Sequence, residues 1–185
     1  MRSPASASEL TISPVQLCRI DERVEKGSLR ASFELTALEN PPDTPFEGLM
    51  GLQYAIEPYG GGFLVTDGHH NRVLHVTRRG RVSVFRAFGN IVPTGLELFG
   101  PVVLMGQAGP LPHLPKDGRI VAFGPGGSKA ITLGSGAPLI VDVEFGDGLR
   151  LYGLSQGHFT PGNPEASPAD PNTGALVELT WDGRF

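Results

Sequence analysis

The sequence predicts an all-β fold made of short antiparallel strands in a repeated unit. Three observations carry this: apolar and polar residues alternate with a period of two, tight-turn residues punctuate the alternating runs, and one strand order recurs along the chain. The 185-residue chain holds 26 Gly and 17 Pro but only 18% charged residues, a balance that suits many turns and excludes long helices. Its 39% apolar content is enough to bury a core.

Residues 1–46 form an N-terminal segment. Within it Ala31, Phe33 and Leu35 alternate with Arg30, Ser32 and Glu34, the pattern of a strand at the tail of an earlier unit. Glu39 to Pro45 is then a link, and residues 9–24 fit a strand or a short helix. The repeated body covers 47–185, in units of about 51–88, 92–134 and 138–185.

In the first unit, Leu52, Tyr54 and Ile56 alternate with Gln53, Ala55 and Glu57, which predicts an inner strand over 52–57. Tyr59-Gly60-Gly61-Gly62 turns the chain into Phe63 to Thr66, and Asp67-Gly68-His69-His70-Asn71 turns it again into Arg72 to Thr77. Arg78-Arg79-Gly80 leads to a fourth strand through Val82 and Val84. Four antiparallel strands in so short a stretch describe one β-propeller blade.

The second unit repeats the order as Thr94 to Leu98, Val102 to Met105, Arg119 to Phe123 and Lys129 to Leu133, with the turn Gly124-Pro125-Gly126-Gly127 before the last. Leu52 to Leu96 spans 44 residues and Arg72 to Arg119 spans 47, inside the range of propeller repeats. The third unit supplies Leu139 to Phe145, Leu149 to Leu154 and Ala175 to Thr180, with inner strands expected at 94–98 and 139–145 in these two units. The sequence stops at Trp181-Asp182-Gly183-Arg184-Phe185, where a fourth strand is expected, so it carries about three to three and a half blades. Such an arc does not close a ring. It predicts a truncated chain, or copies that associate to complete one ring.

The formal net charge is -4 and no block of Lys or Arg stands out, which argues against nucleic acid and anionic membranes as partners. Arg78, Arg79 and Arg81 belong to a hairpin turn. Cys18 is the only cysteine, so an intrachain disulfide and a thiolate metal cluster are excluded. Met1 to Ser8 holds one basic residue with no apolar stretch after it, which predicts a cytoplasmic product as written, or an exported one if the true start lies upstream.

Gly62-Phe63-Leu64-Val65-Thr66-Asp67, followed by Asn71-Arg72-Val73-Leu74 and Gly80, resembles the NHL-type and gluconolactonase-like propellers. Val92-Pro93-Thr94-Gly95-Leu96, the insert Gly109-Pro110-Leu111-Pro112, and Asp142-Val143-Glu144-Phe145 ahead of Gly174-Ala175-Leu176-Val177 look like the ScyD/ScyE propeller family over roughly 40–185. The resemblance implies a propeller and supplies no catalytic residue set to carry over.

His69 and His70, His113 and His158 all fall between the second and third strand of successive units. Strands in a blade alternate in direction, so these connections emerge on one face. Imidazoles there suit a metal or a polar ligand, while the plainer reading is solvated loop histidines. The inserts Gln107 to Lys116 and Gln156 to Asn172 should build the same rim, with His75 farther from any ligand than His113 and His158. Asp67 fits a turn residue that accepts backbone N–H bonds. Asp142 lies on an inner strand, where it suits the oxygen set of a Ca²⁺-dependent lactonase, although no matching Glu and Asn set is evident on the other inner strands.

No phosphate loop occurs, since Gly124 to Lys129 lacks the spacing and opens a strand. The expectation is a binding or scaffold module for a small molecule or protein partner, with no cofactor identified. The alternative is a metal-dependent hydrolase or lactonase, holding Ca²⁺ or Zn²⁺, of the gluconolactonase-like kind.

Overall fold

Eleven strands follow one another in the computed structural model, which describes residues 52–125, 129–164, 167–180 and 182–185. The first sheet runs in order through β1 (Ile56–Tyr59), β2 (Gly62–Asp67), β3 (Arg72–Thr77) and β4 (Val82–Ala87). Gly60 and Gly61 join β1 to β2 at φ 56° and 78°, the left-handed backbone that a two-residue hairpin loop demands. The second sheet repeats the order with β5 (Pro93–Phe99), β6 (Val102–Gln107), β7 (Arg119–Phe123) and β8 (Ile131–Ser135). The third sheet has β9 (Ile140–Phe145), β10 (Leu151–Ser155) and β11 (Ala175–Glu178). Every pairing within the three sheets is antiparallel. The fold is all-β, with two short 3-10 turns and no α-helix among the described residues.

The second sheet is the middle layer. Val103 and Met105 of β6 pack with Val121 and Phe123 of β7 against Leu64 and Val73 of the first sheet. Leu104, one residue out of phase, joins Ile120 and Ala122 on the opposite face against Val143 and Leu151 of the third. Period-two alternation thus buries both faces of one sheet, and each such side chain contributes about 1.5–3 kcal/mol. Phe85, Phe88 and Phe123 close the first interface, with the Arg86 guanidinium 5.2 Å from the Phe123 ring centre. The first strands lie side by side, β1 against β5 and β5 against β9.

Strand boundaries differ from expectation at several places, most at the first strand. The inner strand expected at 52–57 begins only at Ile56. Leu52 and Ala55 still accept backbone bonds from Gly68 and Thr66, but the Ala55 N–H donates to the Thr66 hydroxyl at 2.9 Å, so the regular ladder stops there. After β11 the chain turns back to the second sheet: Ser135 N–H donates to the Gly183 carbonyl at 3.1 Å, and Arg184 bridges Ser135 in parallel. Leu179 and Phe185 consequently pack beside Leu104 and Ile120.

The strand expected at 30–35, the link at 39–45, residues 9–24, Cys18, Trp181 and the Gly126-Gly127 turn lie outside the described residues. No helix among the described residues is long and apolar enough to cross a membrane.

Candidate functional site

The β2–β3 connection is organised by a buried polar group. Asp67, expected to take backbone N–H bonds, instead accepts from His70 Nδ1 at 2.8 Å and from Arg72 Nε at 2.8 Å, and all three side chains are at most 1% exposed. A carboxylate can only accept when ionised, so Nδ1 of His70 carries the proton. Asn71, also buried, accepts at Oδ1 from the backbone N–H groups of Ile91 and Val92, both at 2.9 Å. The loop of one sheet thereby holds the entry to the first strand of the next.

The four connection histidines separate by environment. His70 is inside the protein. His158 is exposed, and its backbone N–H donates to Thr173 Oγ1 at 2.9 Å. His69 and His113 line one cavity of about 330 Å³ together with Phe159. The His113 ring meets the Phe159 ring edge-on at 5.1 Å between centres. Its Nδ1 lies 2.7 Å from the Gly109 carbonyl, which can only accept, so Nδ1 is the protonated nitrogen.

Both inserts reach this cavity, the first through Ala108 and His113, the second through Gln156, Phe159, Ser167 and Pro168. His75 lies at the other end of its sheet, where a Cβ on Gly62 would stand 3.1 Å from its Nε2. The cavity wall also takes one residue from the approach to each first strand, namely Leu52, Val92 and Leu139. Val92 and Leu139 hold φ of 52° and 46°, which bulky side chains rarely adopt. A second hollow of about 430 Å³ at the far face of the first sheet is almost wholly apolar, lined by Ile56, Phe63, Val65 and Val76 among others.

Farther along the same strands lies a set of carboxylates that the sequence reading did not assemble. Glu57 pairs across from Leu64, Glu97 from Leu104 and Glu144 from Tyr152, so each first strand bears one Glu opposite its second strand. The expectation of no matching Glu and Asn set on the other inner strands is corrected for its Glu part, since Glu57 and Glu97 stand on β1 and β5. Glu144 hydrogen-bonds to Glu97, which with partial burial and the charges of Glu97, Asp142 and Glu57 pushes its carboxyl up to about 7. Burial raises Glu57 as well, followed by the charges of Glu97 and Asp142. Asp142 accepts at Oδ1 from Val143 N–H at 3.0 Å. It abuts Gly95, where a Cβ would stand 2.5 Å from the Asp142 Cα.

The missed signal is a short repeat in which an apolar residue and Glu precede an aromatic-Gly pair: Ile56-Glu57-Pro58-Tyr59-Gly60, Leu96-Glu97-Leu98-Phe99-Gly100 and Val143-Glu144-Phe145-Gly146. It aligns Leu52 with Val92 and Leu139, each five residues ahead of its Glu, in place of the Leu52 to Leu96 match. Chemically the set can share protons and attract cations. Among the described residues, no three His, Cys, Asp or Glu side chains are grouped so as to hold one metal ion.

Comparison with known proteins finds no matching family model, no similar curated protein and no similar solved structure.

Proposed function

We propose that this chain is a propeller-type recognition module whose rim cavity binds a small molecule. The three sheets would be successive blades about a common axis, with β1, β5 and β9 innermost. The side-by-side first strands, the same outward strand order in each sheet and the repeated Glu position support this. The motifs that resemble the ScyD/ScyE propellers fit the same reading.

The observation that carries the function is the convergence of His69, His113 and Phe159, from three separate connections, on one cavity of about 330 Å³. That volume is at the small end of ligand sites, and loops on a rigid sheet scaffold commonly supply such sites. A small-molecule fragment screen on the full chain by ¹H–¹⁵N correlation spectra tests it. Shifts should gather at residues 69, 113 and 156–159; hits confined to other surfaces would count against the rim.

A second reading is a metal-dependent hydrolase or lactonase, for which Glu57, Glu97, Asp142 and Glu144 supply carboxylates that influence one another but are not grouped so as to hold one metal ion. It requires that the purified chain retain a divalent cation and that EDTA abolish lactone hydrolysis. Both results together would replace the binding reading.

A further inference from the structure

We infer that the rim cavity accepts a compact, ring-bearing weak acid, namely a phenol or an aromatic carboxylic acid. The inference rests on the binding reading above and adds the chemistry of the ligand. Leu52, Val92, Leu139 and Val141 make apolar walls, and Phe159 contributes an aromatic surface. That part of the lining favours a flat apolar body, whose burial drives binding, while Tyr54, His69, Gln156 and Ser167 bring polar atoms to the rest.

The polar groups narrow the choice. No Asp, Glu, Lys or Arg lines the cavity among the described residues. Glu57 lies five residues beyond Leu52, about 16 Å along an extended strand, and Asp142 is turned against Gly95. Among the described residues an ammonium ligand would find no counter-charge in the cavity wall, and desolvating it unpaired is costly. His113 offers the matching group: with Nδ1 given to Gly109, Nε2 can accept a phenolic O–H or, once protonated, donate to a carboxylate. Phe159 packs on the same ring and holds its plane.

The wall is also preset. Asn71 clamps the backbone N–H of Val92, and Gln156 N–H donates to the Leu139 carbonyl at 3.0 Å, so both left-handed residues are pinned by hydrogen bonds. A preformed wall spares the ligand the cost of ordering it.

Isothermal titration of the full chain tests this with four probes that share one body: 2-naphthoate, 2-naphthol, methyl 2-naphthoate and 2-naphthylmethylammonium. The two acids should bind about tenfold or more tighter than the ester and the cation, the penalty of an unmatched polar group. His113→Phe, which keeps a ring against Phe159, should abolish that preference, so that acids and ester bind alike. The ester comparison needs no variant and stands if His113→Phe fails to fold. Equal binding of acid and ester, or tighter binding of the cation, overturns the inference. If glucose, which is polar and bears no aromatic ring, shifts the amides of 113 and 156–159 and the naphthyl acids do not, the rim reading survives and the ligand class falls. If no probe shifts those amides, the ligand class falls and the fragment screen decides the rim reading separately.

Discussion

Thr94 donates its hydroxyl across 2.8 Å to the carbonyl oxygen of Ile140, joining the first strand of the second sheet to that of the third. Thr94 is fully buried, and the same hydroxyl sits close to where a Cβ on Gly106 would fall, so the contact is packed as well as bonded. Thr94→Val keeps the shape and removes the donor. It should cost about 1–3 kcal/mol, read as a lower urea midpoint at unchanged slope. Thr94→Ser keeps the hydroxyl and should lose less; a Val variant as stable as the parent would show that the bond contributes nothing.

Asp67 lies between His70 and Arg72 in a site closed to solvent. Removing one partner of a buried ion pair strands the other charge, at about 3–5 kcal/mol. Asp67→Ala should therefore lower the melting temperature by on the order of 10 °C. It should also loosen the entry to β5, because Asn71 follows in the same loop, and faster amide exchange at Ile91 and Val92 would report this. Unchanged melting would rule out a structural role for the Asp67–Arg72 pair.

The folded chain holds the Glu144 proton more tightly than an unfolded chain would, with the carboxyl raised from its ordinary 4.5 to about 7. The stability linked to that proton is present in full below pH 4.5 and is lost as pH rises through about 7. Glu144 is exposed, so water screens the effect and the melting temperature should fall only modestly over this range. Carbon-detected titration should place the Glu144 midpoint near 7, and Glu97→Gln should move it down. A midpoint at the ordinary carboxylate value in the parent chain would contradict the pairing of Glu144 with Glu97.

Gly95 is small because β9 leaves it no room. A Cβ would stand 2.5 Å from Asp142 Cα and 2.9 Å from Val143 N, and backbone cannot swing aside as a flexible side chain can. Gly95→Ala should cost about 1–3 kcal/mol through overpacking and shift the amide signals of β9. A variant with parental stability and an unshifted Val143 amide would mean that the two strands lie farther apart.

Local chemistry made much of the fold legible. β3 occupies Arg72–Thr77 as expected, because alternation and the turns on both sides are properties of neighbouring residues. Where tight turns join consecutive strands, as between β1 and β2, they leave them little choice but to pair. That both inserts reach one cavity was legible from strand direction, but the burial of His70 was not.

What tertiary structure decided depends on residues far apart in the chain. The Thr66 hydroxyl, not a carbonyl, meets Ala55, so β1 starts later than its alternation suggests. His70 and His69 are adjacent and look alike in the sequence, yet only packing puts one against buried Asp67 and the other at the cavity. Glu57, Glu97 and Glu144 each look like an ordinary polar residue in an alternating strand. Only the cross-strand register and the side-by-side first strands make them one electrostatic group, because the coupling that raises Glu144 acts between side chains brought together by separate sheets.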